Sequence, residues 1–327
     1  MLCRPRRTRC VARVAVTSNS VAASTTVAAI KPRATRYENA RNLVWVLPVF
    51  ALLAGMLVYP LASGLLLSLQ RTTGSGQGEF VGIDNYIEAL VRDSVFHQAV
   101  SNTVAFTVVA IVLQTSVGLL LATLISEVRR GRLAYRMIFF APVVLSAAAV
   151  GSVWQWLYAP YFGLFTNALA TLGLADVSSS LLASQATALW AIMGAFVWRW
   201  AGFNTVIYLA GLQSIPREYY EAAMLEGAGG LRRFRHITWP LLLPHTYTVV
   251  LLTTMGTLRI FDMMWIMTQG GPAHATETIA TYIFTTAFRF QRNGYAQSLA
   301  FTLLGMVALL TLLLSVTLRK RANQVAG

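Results

Sequence analysis

The chain has 327 residues, of which 56% are apolar and only 12% charged, about half the charged share of an ordinary soluble domain. Its formal charge of +14 invites a nucleic-acid reading, yet most of the Lys and Arg residues lie in the two tails and in two of the segments between long apolar runs. With no basic face to offer, the chain is not expected to bind DNA or RNA, and runs of this length exclude a water-soluble fold.

Six apolar runs occupy residues 43–69, 100–125, 137–158, 186–212, 241–267 and 298–318. Each exceeds the roughly 20 residues that a helix needs to cross about 30 Å of hydrocarbon. The expected fold is all-α: a polytopic membrane protein with six transmembrane helices over residues 43–320, a basic tail at 1–42 and a short tail at 321–327. The basic tail is rich in Arg, Ser, Thr, Ala and Val and holds both cysteines, Cys3 and Cys10. A disulfide framework is not expected in a reducing cytoplasmic tail. Three readings of this segment stand side by side: a disordered tail, a translation start further along, and a targeting peptide.

The first run contains Pro48 and Pro60, which a membrane helix tolerates with local kinks. Segment 70–99 carries Glu79, Asp84, Glu88 and Asp93 and reads as an external loop with a short helix around 85–91. Segment 127–136 is a tight basic turn. Segment 159–185 has no Lys or Arg and one acid, Asp176, the pattern of an external loop. Of the 26 Lys and Arg residues, 20 lie in the two tails and in the second and fourth loops. The other loops hold Arg71, Arg92, Arg289 and Arg292. Cytoplasmic loops collect positive residues, so both termini are expected in the cytoplasm.

The fourth loop, 213–240, is longer than a mere connection between two helices, typically about 2–8 residues. Pro216 suits a first helical turn, Glu218 and Glu221 suit its positive end, and Gly227 suits a left-handed stop. These signals predict a cytoplasmic helix from near Pro216 to near Glu226, with Ala222 and Ala223 as a small-residue patch. A second short basic element at 231–237 should end at Trp239 and Pro240.

Charged residues within spans are costly, roughly 2.5–3.5 kcal/mol at a helix centre, so Arg199, Arg259 and Asp262 call for reasons. Arg259 and Asp262 are three apart, on one face of a continuous helix, where they can form an intramembrane ion pair. Arg199 stands among Phe196, Trp198, Trp200, Phe203 and Asn204; a structural partner and a place in a solute path are both open to it. Neither lysine, Lys31 or Lys320, lies in a Gly-Lys-Ser/Thr loop, and His97, His236, His245 and His274 form no ligand cluster. ATP hydrolysis, a metal, a cofactor and catalytic residues are therefore not expected in this chain.

The fourth loop resembles the EAA loop of permease subunits in bacterial ATP-binding-cassette importers. Glu221, Ala222, Ala223, Gly227, Ile237 and Pro240 fall at the family's spacing; Glu226 replaces the usual Asp and Trp239 the usual Leu. Phe261-Asp262, Met267-Thr268, Gly270-Gly271-Pro272 and Thr276-Glu277-Thr278 are similar to its carbohydrate-uptake branch. The resemblance implies a permease subunit of an ATP-driven sugar importer in a bacterial plasma membrane, forming half of the path. It also implies a second, nonidentical permease, two copies of an ATPase subunit that grip the loop, an extracytoplasmic solute-binding protein, and surrounding lipid. The family's sugar-contacting positions fall near Phe196, Arg199, Trp200, Phe203, Thr253, Thr257 and Ile260. The rival readings are a self-sufficient secondary transporter or channel, for which Asp262 is the sole intramembrane acid, and a scaffold subunit without a solute path. The topology has a direct test: a cysteine placed at Ser178 should label from outside intact cells and one at Ser214 should not. The reverse pattern would invert the orientation.

Overall fold

The computed structural model describes residues 36–72, 78–128, 130–173 and 180–326, with side chains from Trp45 to Val316. The basic tail through residue 35, Gly74, Gly76, Asp176 and Ser178 lie outside the described residues. The chain divides into two units, Met1–Met56 and Leu57–Gly327. The first is helical over its described residues, and apart from the first part of α1 the features below belong to the second.

Helix α1 (Arg36–Ser68) starts ahead of the apolar run and passes Pro48 and Pro60 without interruption. Two short antiparallel strands follow, β1 (Gln70–Arg71) and β2 (Glu79–Phe80), with Gln70 opposite Phe80. The short helix expected near 85–91 is α2 (Asp84–Ile87) continued by a π turn over Glu88–Arg92. Asp93 then caps α3 (Ser94–Glu127), its side chain accepting from the Val95 and Phe96 amides at 2.9 and 3.0 Å.

The third apolar run is not one straight helix. It breaks at Leu145 and Ser146 into α4 (Arg132–Val144) and α5 (Ala147–Leu157), bent by 97°. Pro142 removes one donor from the end of α4. Ser146 begins a fresh helix by accepting from the Ala149 amide at 3.1 Å. Helix α6 (Leu164–Thr171) lies in the next connection. Helix α7 (Ala188–Ser214) is followed by α8 (Arg217–Leu225), α9 (Gly230–Arg233), a π turn at Phe234–Thr238 and α10 (Trp239–Leu258). The basic element expected to stop at Trp239-Pro240 instead runs on into α10. The wider π turn just ahead of Pro240 accommodates its missing N–H and its ring.

The fifth run is also interrupted: α10 ends at Leu258 and α11 (Asp262–Thr268) starts anew. Helix α12 (Ile279–Phe284), prolonged by a π turn at Thr285–Arg289, leads to α13 (Asn293–Ala326). Among the described residues, four stretches are long and apolar enough to cross a membrane: Trp45–Ser68, Ser94–Glu127, Gly230–Leu258 and Asn293–Val316. The bent pair α4–α5 is a fifth if it counts as one span. Helix α7 has the length, but Arg199, Asn204 and Gln213 dilute its hydropathy.

Helix α7 packs on α3 and α4, and α10 packs on α3 and α13. Between membrane helices, association depends on close packing and hydrogen bonds, since lipid tails are as apolar as the side chains. Gly202 supplies such a contact: a Cβ there would overlap the Phe139 carbonyl of α4. One buried cluster joins Phe106, Val150, Trp154, Ile192, Phe196 and Met264. A second joins Leu119, Ile125, Tyr208, Leu209, Leu242 and Val249. The Tyr158 hydroxyl donates to the Ala191 carbonyl at 2.9 Å, fixing the first turns of α7 to the end of α5.

A polar network ties the start of α3 to α12 and α13. The Asp93 carboxylate accepts from the Tyr282 and Tyr295 hydroxyls, each at 2.6 Å. Arg292 donates to Glu88 at 2.7 Å and lies over the Tyr295 ring. Burial pushes the Asp93 carboxyl up, but hydrogen bonds from Tyr282, Tyr295, Phe96 and Val95 outweigh it and hold the group below the ordinary carboxylate range. A lowered folded-state value means stabilisation that is complete above the unfolded value and is lost as pH falls through the folded one. Asp93→Asn should therefore lower the thermal unfolding temperature of the detergent-purified protein at neutral pH. The gap to wild type should shrink once the pH drops below about 4. Equal unfolding temperatures at neutral pH would show that the network does not hold these helices.

Candidate functional site

Two features combine at the site: an exposed helical loop, and a cavity between the helices to which that loop is joined. Helix α8 begins after Ile215, which is buried, and Pro216, which stands at the N-cap position with φ −59° and ψ 137°. Its end is a Schellman closure. The Ala228 amide reaches back to the Ala223 carbonyl at 2.8 Å, the Gly227 amide to Met224 at 3.0 Å, and Gly227 has φ +75°. A Cβ at Gly227 would meet nothing within 4 Å, so the requirement for glycine is one of backbone conformation alone.

No residue of α8 is buried. Leu225 and Leu231 are 91% and 82% exposed, and among the described residues Glu221 has no ion pair with Arg217. Pro216, Tyr219, Ala222, Ala223, Glu226 and Ile237 line a shallow open cleft along the helix. Ile237 also packs with Tyr220 and Phe234 against the second core cluster, while Pro240 sits in the first turn of α10. The Tyr220 hydroxyl is 3.0 Å from the Thr238 hydroxyl, so α8 is fastened to the foot of α10 as well as to the end of α7.

Farther along the same two helices lies a cavity of about 180 Å³. Phe196, Arg199, Trp200 and Phe203 come from α7, Thr253 from α10, and Ile260 from the break before α11. Thr257, the remaining residue expected on the path, is fully buried and donates to the Thr253 carbonyl at 2.8 Å, behind the wall.

Arg199 has a backbone partner and also borders the cavity. It donates to the Leu145 carbonyl at 3.1 Å, at the C-terminal end of α4, and it lines the cavity 5.4 Å from the Trp200 ring centre. A cation is favourable at such a helix end. Arg259 and Asp262 also line the cavity, but the expected ion pair is not among the described contacts. The helix breaks between them, so a three-residue spacing no longer places them on one face. Arg259 instead donates through Nε to the Met255 carbonyl at 3.1 Å. Two guanidinium groups and one carboxylate thus border the space.

Sequence reasoning did not place Gln114 or Phe261 at this cavity, which they line with Asn204. The Gln114 side-chain oxygen accepts from Asn204 at 2.6 Å within the buried wall. An amide in the middle of the second apolar run was the available signal; Phe261 was noted only within the branch's Phe-Asp pair, because its place on the cavity depends on the break.

The chain is thus a bent helical bundle with an exposed loop helix and a cavity between its helices. A bacterial ABC transporter solved in complex with an alginate pentasaccharide-bound periplasmic protein contains a chain that matches this one with a TM-score of 0.75. The match has 20% identity and covers 88% of this chain and 96% of that one. Residues 114–322 match the family described as binding-protein-dependent transport system inner membrane component, and the chain belongs to that family. The lactose transport system permease protein LacF of Rhizobium radiobacter is 34% identical over 88% of this chain and 96% of its own. The trehalose/maltose transport system permease protein MalF of Thermococcus litoralis is 34% identical over 76% and 84%.

The loop geometry gives a sharp expectation. Gly227→Val adds a β-branched side chain at a left-handed position, a strain of about 1–2 kcal/mol. That should misplace α8 without unfolding the spans. Membrane insertion should remain normal, while transport falls with ATP hydrolysis uncoupled or the ATPase lost from the complex; Glu221→Lys should do the same. Wild-type transport by both variants would remove the loop from the coupling path.

Proposed function

We propose that this chain is one of two permease subunits of an ATP-driven importer for sugars or sugar-like solutes in a bacterial plasma membrane. The supporting observation is mechanical: α8 is exposed along its length, follows directly on α7 and is held through Tyr220 to Thr238 at the foot of α10, and both of those helices line the cavity. A push on α8 is transmitted to both cavity walls.

In this reading the chain spans the membrane six times, with α4–α5 as one bent span and α7 as a polar-lined one. Both termini and α8 face the cytoplasm, in keeping with the charge bias. A separate ATPase subunit, present in two copies, grips Glu221, Ala222, Ala223 and Glu226. Closing of the ATPase pair on ATP draws the loops inward and favours the outward-facing state, which receives solute from an extracytoplasmic binding protein; hydrolysis resets it. Phe196, Trp200 and Phe203 offer ring faces to the apolar side of a sugar, while Arg199 and Arg259 offer donors to its hydroxyls. A cavity of about 180 Å³ falls below the roughly 300–1,000 Å³ of a complete small-molecule pocket. This suits a path closed on its other side by a second, nonidentical permease. The lactose and trehalose/maltose systems named for the relatives support the carbohydrate class.

The test is uptake by proteoliposomes that contain the chain with its ATPase, second permease and binding protein. Uptake of labelled disaccharide should require ATP and all four components. Uptake by the chain alone, driven by an ion gradient, would instead establish a secondary transporter.

A further inference from the structure

The aromatic wall of the cavity does not stop at Phe261. Phe261 stacks on Trp265 with ring centres 5.7 Å apart and 14° between planes. Phe284 meets both rings, at 5.2 and 4.6 Å, and Phe288 follows it at 4.8 Å. Two hydrogen bonds give this series a direction. Thr278, at the start of α12, donates to the Ile260 carbonyl beside the cavity at 3.0 Å. Arg289, at the end of the following π turn, donates to the Gln269 side chain just past α11 at 2.8 Å. Helices α11 and α12 therefore leave the cavity side by side, and the rings ascend with them.

Accessibility is greatest at the end of the series. Phe261, Trp265 and Phe284 are half-buried, and Phe288 is 71% exposed. The core on the opposite face of α11 is made by Met263, Met264 and Met267, all buried, so the rings are not needed to fill it. Arg289 lies 4.9 Å from the Trp265 ring centre, and Arg199 lies 5.4 Å from that of Trp200. The same pairing of ring and guanidinium occurs once in the cavity and once at the far end of the series.

We propose that Phe261, Trp265, Phe284 and Phe288, with Arg289, form a stacking track that carries a pyranose ring of the solute between the surface at Phe288 and the cavity. The proposal rests on the carbohydrate reading above. A sugar presents an apolar C–H face that stacks on an aromatic ring and a hydroxyl edge that accepts from a guanidinium. Rings about 5 Å apart let it pass from one to the next without full release, and several weak sites in series favour entry without trapping. A lipid tail would use the rings but has no hydroxyl edge for Arg289. A partner subunit packed on the rings would make them necessary for assembly.

The experiment uses the complete complex in proteoliposomes, with a mixture of carbon-13-labelled glucose, lactose, maltose and trehalose read by mass spectrometry. Imported sugar is expressed per ATP hydrolysed. Trp265→Leu and Phe288→Ala should assemble and hydrolyse ATP but import about three- to tenfold less sugar per ATP, the loss expected for one stacking face. Trp265→Phe, which keeps a ring, should stay near wild type. Unchanged import per ATP in both the Leu and Ala variants would overturn the track while leaving the sugar reading intact. Failure of both to assemble, with normal assembly of Trp265→Phe, would overturn it in favour of subunit packing. A wild-type complex that imports nothing from the mixture would overturn the carbohydrate reading and the track with it.

Discussion

Backbone groups released where a helix breaks inside an apolar layer have no water to turn to and must find partners within the protein. This constraint organises the middle of the molecule. The break between α4 and α5 frees the Leu145 carbonyl, which receives Arg199 from α7. The break between α10 and α11 frees the Ile260 carbonyl, which receives Thr278. The carbonyls of Ile266 and Met267, near the end of α11, both receive the Gln155 side-chain amide, at 2.9 and 3.0 Å. Each break is held by a polar side chain from another element. The cavity opens beside the breaks because irregular backbone and polar side chains are tolerated together at that depth only where protein or a water-lined space surrounds them.

The same economy explains why Arg199 can be structural and still border the cavity. A guanidinium has five N–H donors in a planar fork, and the Leu145 carbonyl accepts from one terminal nitrogen. The remaining edge lies beside Trp200 at the cavity. An arginine in this place thus fixes the bent span and leaves hydrogen-bonding capacity for a ligand. Its neighbour Gln114 is occupied differently, held by Asn204 and spaced 3.4 Å from the Phe196 carbonyl, so it stiffens the wall between α3 and α7.

What the sequence made legible follows from the range of the interactions involved. The limits of α8 could be read within a residue or two, because Pro216, the early acids and Gly227 act through local backbone geometry. The apolar runs were equally plain, since hydrophobic thickness is a property of composition. The breaks were not legible. Pro142, a local signal for one of them, went unread, and the interruption at Arg259 is stabilised by Thr278, a residue from a later segment whose approach no local pattern announces. The assumption of an unbroken helix then led to an Arg259–Asp262 pairing that the geometry does not support. Phe196, Arg199, Trp200 and Phe203 line one cavity together because they lie on one continuous helix. Thr257 turned out to face the protein rather than the cavity.

The bond from Tyr158 to Ala191 fixes α7 near one end, and α8 hangs from the other. Helix α7 has 27 residues and is about 40 Å long at 1.5 Å per residue. Ser214 lies about 35 Å from that anchor and Trp200 about 13 Å. A tilt of about 5° about the anchor would carry the foot of the helix about 3 Å, yet move the ring of Trp200 by only about 1 Å. The geometry works as a reducing gear. Under the proposed coupling, a coarse stroke at the loop would arrive at the cavity as a fine adjustment, of the size that separates an open contact from a closed one.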